Sequence, residues 1–205
     1  FARQTSDGSV RTLLKGKGNY KAFGFAEDGR QLAFLSDQAE YDKDVSPYRV
    51  YYWKAGESAA AELVSAATRG VPAGLVVSDQ AAPRFSPDGQ RLFVGTAPPP
   101  AAPAADGAPA PRGVDVWHWQ DPLLQPMQRV RAQQERNRNY RAVVHLSDKR
   151  FVQLATPDFP NVAQGDDPAR AIGTSDLAYR REMSWDTTYN DVALVYLTTA
   201  QRHRV

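Results

Sequence analysis

Residues 85–97 read FSPDGQRLFVGTA, and residues 25–37 read FAEDGRQLAFLSD. Each stretch opens on Phe, places Asp-Gly three residues on (Asp28-Gly29, Asp88-Gly89), and runs into an apolar segment. Gly supplies the positive φ that a tight turn requires, so each reads as a turn feeding a strand. The strand that follows the first turn is apolar on both faces, with Leu32 and Phe34 on one and Ala33 and Leu35 on the other. A strand of that kind must be covered from both sides. One chain that repeats such a unit about 60 residues apart announces a repeat architecture.

Working outward, the first unit reads as strands at 20–25, 32–36 and 49–53, with Glu62-Leu63-Val64 closing it. The alanine-rich stretch 58–68 leaves a short helix there as the alternative. The second unit starts near Leu75, repeats the turn, and continues through 91–96. It is interrupted by a Pro/Ala-rich segment, 98–113, expected to be extended and mobile. A second interruption, 120–139, is polar, and a short helix from about Gln125 to Asn137 is expected there with Pro126 in its first turn. Between them Val114 to Trp119 reads as strand, with His118 facing away from Trp117 and Trp119. Strand pattern resumes at 140–146 and 151–154. The third unit is weaker. Arg170-Ala171-Ile172-Gly173-Thr174 parallels 91–96 with one residue fewer, Ser175-Asp176 parallels Ser36-Asp37, and 191–197 stands where 49–53 stood. Residues 10–15 read as the last strand of a still earlier unit.

Small antiparallel sheets covered on both faces by their neighbours are the blades of a β-propeller. The expected fold is therefore all-β: a partial propeller of about three four-stranded antiparallel blades, with one Pro/Ala-rich loop and one short helical insertion. Residues 1–19 end a preceding blade, 20–68 and 69–156 form two blades, the second with insertions at 98–113 and 120–139, and 157–205 form a third. A β-sandwich with coincidental Asp-Gly turns is the competing fold. Since closure of a propeller takes about four to eight blades, and the chain opens on Phe1 and closes on Arg202-His203-Arg204-Val205, a fragment is expected. An open arc would leave Leu32, Phe34 and Leu35 at one end, and Leu194, Tyr196 and Leu197 at the other, without neighbours. Self-association of the isolated chain follows as an expectation.

Composition narrows the function classes. Hydrophobic residues are 42% of 205, enough for a sizeable core, yet no run approaches a membrane span. A net charge of +2 gives no electrostatic case for nucleic acid or lipid. The arginines at 129, 131, 136, 138 and 141 are diluted by Glu135 and glutamines, so a solvated insertion is the plainer reading. With no cysteine there are neither disulfides nor thiolate metal sites, and no HExxH or HxH occurs. No cofactor and no metal are expected. The nearest approach to a nucleophile elbow is Gly173-Thr174-Ser175-Asp176-Leu177, which lacks the second Gly of G-x-S-x-G. No catalytic residue is assigned. Trp117, Trp119 and Trp185 offer an aromatic surface for peptide side chains, although large aromatics in a propeller also wedge between blades. Arg181 and Glu182 lie in a loop between strands, where binding residues concentrate.

The turn-strand F-S-P-D-G-x-x-[LIV] resembles the propeller repeat of the TolB-like proteins and of the prolyl oligopeptidase family of serine peptidases. The longer stretches VDVWHWQDPLLQPMQ (114–128), RNRNYRAVVHLSDKRFVQLA (136–155) and AIGTSDLAYRREMSWDTTYNDVALVYL (171–197) resemble the propeller of bacterial, dipeptidyl-peptidase-like members of that family. The resemblance runs from about Phe25 to Val205. It implies a propeller that gates peptide access to an α/β-hydrolase domain lying outside this chain, with peptide as the partner of the whole. In the dipeptidyl-peptidase branch an acidic pair holds the substrate amine, and here Glu182 alone stands in the corresponding stretch. The sequence leaves the compartment open, and the resemblance points to a periplasmic or secreted bacterial parent. The rival reading is a TolB-like, non-enzymatic interaction propeller.

Overall fold

The computed structural model describes residues 2–3, 7–43, 45–101 and 116–205. The two Asp-Gly turns are built alike. In the first, Gly29 N donates to Ala26 O at 2.9 Å and Ala26 N to Gln31 O at 3.0 Å, while Asp28 Oδ1 accepts from Arg30 N at 2.8 Å. In the second, Gly89 N donates to Ser86 O at 2.8 Å and Ser86 N to Arg91 O at 2.9 Å, while Asp88 Oδ1 accepts from Gln90 N at 3.0 Å. Both glycines have φ 65°, which a side chain at that position would strain.

Each turn launches the second strand of an antiparallel sheet. Sheet one has the order β3 (Tyr20–Phe25), β4 (Gln31–Ser36), β5 (Arg49–Lys54), β6 (Ala61–Val64). The strand alternative for 58–68 is the one realised, because Leu63 and Val64 are buried against the neighbouring sheet. Sheet two contains β7 (Val76–Val77), β8 (Arg84–Phe85), β9 (Arg91–Ala97), β10 (Tyr140–His145) and β11 (Arg150–Gln153). Sheet three has the order β12 (Asn161–Ala163), β13 (Arg170–Ser175), β14 (Asp191–Tyr196), β15 (Arg202–Arg204). A short hairpin, β1 (Ala2–Arg3) with β2 (Val10–Arg11), precedes them, and helix α1 (Gln125–Arg136) lies between β9 and β10.

The sheets stack through two cores. Ala33, Leu35 and Val50 of sheet one meet Leu92, Val94 and Val144 of sheet two. Phe93 and Val143, on the opposite face of sheet two, meet Ala171, Ala193 and Val195 of sheet three. The alternation read from the sequence is thus realised, with each strand packing both ways. This is the all-β, antiparallel blade architecture that the repeat implied.

Three expectations need correction. Sheet two has five strands, because its first strand is broken: β7 and β8 both pair with β9, at Ala97/Thr96 and at Phe93/Leu92. The interrupted segment lies against sheet one, where a Cβ on Gly24 would sit 2.4 Å from the Pro83 carbonyl oxygen. Second, β13 is not one residue short. The registers Ser175↔Asp191, Thr96↔Tyr140 and Ser36↔Arg49 put Ser175 in the place of Thr96 and Ser36. Third, Leu32, Phe34 and Leu35 are all buried. Leu35 lies in the core between sheets one and two, while Leu32 and Phe34 are covered by Leu13 and Leu14. Leu197 is buried as well, whereas Ile172, Val192 and Tyr196 on the outer face of sheet three are exposed.

Candidate functional site

The connections between second and third strands start from equivalent places in the three sheets, after Ser36, Ala97 and Ser175. Each carries helical turns: a 3-10 turn at Gln38–Glu40, α1, and two 3-10 turns at Leu177–Tyr179 and Glu182–Ser184. The last two connections meet. Arg181 Nη2 donates to Gln120 O at 2.7 Å, across 61 residues of sequence. Arg131 of α1 reaches Asp176 at 3.8 Å, and Arg180 Nε donates to the same carboxylate at 3.1 Å.

Local chemistry holds each partner. α1 starts with Pro126 in its first turn, where a missing N–H costs nothing. It has no buried residue, so it is held by its ends and its charges. Gln128 Nε2 donates to Leu123 O at 2.8 Å. Arg138 ion-pairs with Glu135, and that bond, assisted by the charges of Arg180 and Arg131, holds the Glu135 carboxyl below its ordinary range against the effect of burial. On the other side Tyr179 donates to Asp191 Oδ1 at 3.1 Å and packs edge-on to Tyr189 at 6.0 Å between ring centroids. Tyr189 donates to Asp186 Oδ2 at 2.9 Å, which raises the phenol's pKa.

The tryptophans do not wedge between blades. Trp117, Trp119 and Trp185 are 57%, 83% and 74% exposed. Residues 116–118 are not strand, and a turn follows at 119–120, so the expected alternation of His118 with its neighbours is absent. His118 instead packs at 5.8 Å from Trp119, and its Nδ1 accepts from Gln120 N at 3.2 Å. Residues 102–115, which include most of the Pro/Ala-rich loop, lie outside the described residues. The exposed tryptophans thus sit on two connections tied together by the Arg181–Gln120 bond. Glu182 is exposed beside it, its carbonyl accepting from Trp185 N at 3.1 Å and Asp186 N at 2.9 Å. The structure thus joins the connection bearing Trp117 and Trp119 to the one bearing Arg181, Glu182 and Trp185. No local pattern signals the contact from Arg181 to the Gln120 carbonyl that does so.

Ser175 is buried, with Oγ donating to Asp158 O at 3.4 Å. A cavity of ≈ 1240 Å³ lies between the N-terminal hairpin and sheet one, where Phe23, Phe25, Leu32 and Trp53 line it, and it takes no residue from these loops.

No family model and no curated protein matches the chain. Solved structures do resemble it, at low identity. TolB of Agrobacterium tumefaciens is 9% identical over 93% of this chain and 50% of its own, with a TM-score of 0.39. A puromycin-hydrolyzing peptidase of Mycobacterium tuberculosis is 14% identical over 92% and 20%, with a TM-score of 0.40. A prolyl endopeptidase is 7% identical over 91% and 22%, with a TM-score of 0.47. The chain spans half or less of the length of these structures, and its neighbours include both TolB and prolyl oligopeptidase-family peptidases.

Proposed function

We propose that this chain is the propeller segment of a prolyl-oligopeptidase-like serine peptidase, and that its joined loops form a wall past which peptides reach a hydrolase domain. The observation that carries this reading is the exposure of Trp117, Trp119 and Trp185 beside Arg181. Large apolar side chains grouped in water mark an interaction surface. Tryptophan and arginine suit peptides in particular, since the flat ring buries large area at little entropic cost and the guanidinium reads carbonyls and carboxylates. The tryptophan-rich stretches that resemble the peptidase propellers are the same residues that build this surface. Glu182, exposed at its rim, is the residue for a peptide's amino group.

The same composition also suits a folded protein partner, because Trp, Tyr and Arg dominate the energetics of such interfaces. A TolB-like interaction propeller is the second reading. Titration of the chain with proline-containing peptides, followed by tryptophan fluorescence, separates the two. Saturable binding that Trp119→Ala and Trp185→Ala weaken together supports the peptide wall. Peptides that leave the fluorescence unchanged at millimolar concentration overturn it. A hydrolase domain encoded beyond residue 205, bearing G-x-S-x-G, would support the peptidase parent, and further blades alone would support the rival.

A further inference from the structure

Superposing the strand registers of the three sheets shows one position out of character. Leu35 pairs with Val50 in sheet one, and Thr174 with Val192 in sheet three. Gly95 pairs with Arg141 at the same place in sheet two. An arginine thus stands where the other two sheets carry valine, on the face of sheet two turned toward sheet three. The glycine opposite makes room, since a Cβ there would meet Ala81 Cβ at 2.5 Å and Asn139 Oδ1 at 3.0 Å.

Arg141 lines a cavity of ≈ 380 Å³ with Asn139, Asn161, Val162, Ile172 and Thr174. The cavity takes residues from both faces of β12, so it sits at the edge of that strand. Among the described residues no carboxylate ion-pairs with the Arg141 guanidinium, and none gives a hydrogen bond to the side chain of Arg141, Asn161 or Thr174. Burial, and behind it the charge of Arg84, lowers the pKa of Arg141 below the ordinary arginine value. A partly desolvated guanidinium without a counter-ion is costly, and an anion that returns its hydrogen bonds relieves that cost.

We propose that this cavity is a carboxylate-binding subsite, with Arg141 supplying the planar donor fork from the sheet-two side of β12 and Asn161 and Thr174, on the outer face of sheet three, supplying neutral donors across the edge of that strand. One fork matches one carboxylate bidentately. Neutral amide and hydroxyl donors suit a single negative charge better than the double charge of phosphate. The inference is independent of the loop surface, since none of its residues belongs to that surface.

The test uses the full chain and a short acetylated peptide with either a free C-terminal carboxylate or a C-terminal amide, with acetate and inorganic phosphate as further probes. The acid is expected to bind at least tenfold more tightly than the amide by calorimetry, with acetate competing. Arg141→Val restores the residue type of the other two sheets and is expected to keep or raise the melting temperature while abolishing the preference. Arg141→Gln reads the same loss if the valine variant does not fold. Arg30→Gln, at an exposed site in the turn that leads into β4, is expected to leave the preference unchanged. Equal binding of acid and amide overturns the proposal, as does a preference that survives Arg141→Val or Arg141→Gln. Protection by phosphate with none by either carboxylate probe also overturns it.

Discussion

Gly173→Ala isolates a packing decision that the repeat alone does not explain. Gly173 occupies the position of Phe34 in sheet one and Val94 in sheet two, the inward-facing centre of the second strand. Phe159 fills the missing volume: a Cβ on Gly173 would lie 2.2 Å from Phe159 Cε1 and 3.0 Å from Val195 Cγ2. The ring has little room to yield, because Phe159 exchanges backbone hydrogen bonds with Thr156 at 3.0 and 3.2 Å and carries Arg202 4.7 Å above its centroid. Overpacking of a core costs about 1–3 kcal/mol, offset by up to ~0.5–1 kcal/mol from replacing glycine in a strand. A net loss of about 1–2 kcal/mol corresponds to a fall of roughly 2–8 °C in melting temperature for a chain of this size. Phe159→Leu removes the two offending ring carbons, so in that background Gly173→Ala is expected to cost under about 0.5 kcal/mol, a coupling in the range seen for residues in contact. Thermal and urea unfolding of the four proteins form the cycle. Equal costs in the two backgrounds, or no cost in the parent, would refute the account.

Other outcomes follow from the same physics. Asp37 is buried and accepts from Asn19 N at 2.7 Å and Asn19 Nδ2 at 2.8 Å, so Asp37→Ala is expected to destabilise by about 1–3 kcal/mol through the orphaned donors, read by urea unfolding. Trp119→Ala and Trp185→Ala are expected to change stability by under about 0.5 kcal/mol each, since both rings lie in solvent; a larger loss would show that they pack. The Glu135 carboxyl is depressed in the folded chain, so its contribution is present above the unfolded value of about 4.3 and is lost as pH falls through the lower folded value. Glu135→Gln should therefore flatten stability against pH below about 5, and an unchanged acid limb would remove the ion pair from the account. Exposed Phe23 and Phe25 near one end and Ile172, Val192 and Tyr196 at the other are expected to drive concentration-dependent self-association in sedimentation. A monomer at high concentration, unaffected by Tyr196→Asp, would speak against it.

The sequence by itself determined the repeating unit. Asp-Gly at 28–29 and 88–89 fixes two turns because few residues other than glycine take the conformation, and alternation through Leu32 to Leu35 fixes two-sided burial because strand side chains alternate. Gln125–Arg136 was legible as a helix from Pro126 and the run of helix formers that follows. Tertiary structure decided what covers each face. Leu13 and Leu14 shelter Leu32 and Phe34, Phe159 replaces the side chain that Gly173 lacks, and Pro83 presses on Gly24 where the first strand of sheet two breaks. The same holds for the loop surface. Trp117 and Trp119 have the composition of a buried wedge, yet both stay in solvent, on a segment that turns at 119–120 and is bonded through the Gln120 carbonyl to Arg181 of the connection that carries Trp185. Local pattern sets which way a side chain points, but whether it meets protein or water depends on chain 10 to 60 residues away, and neither periodicity nor turn chemistry carries that information.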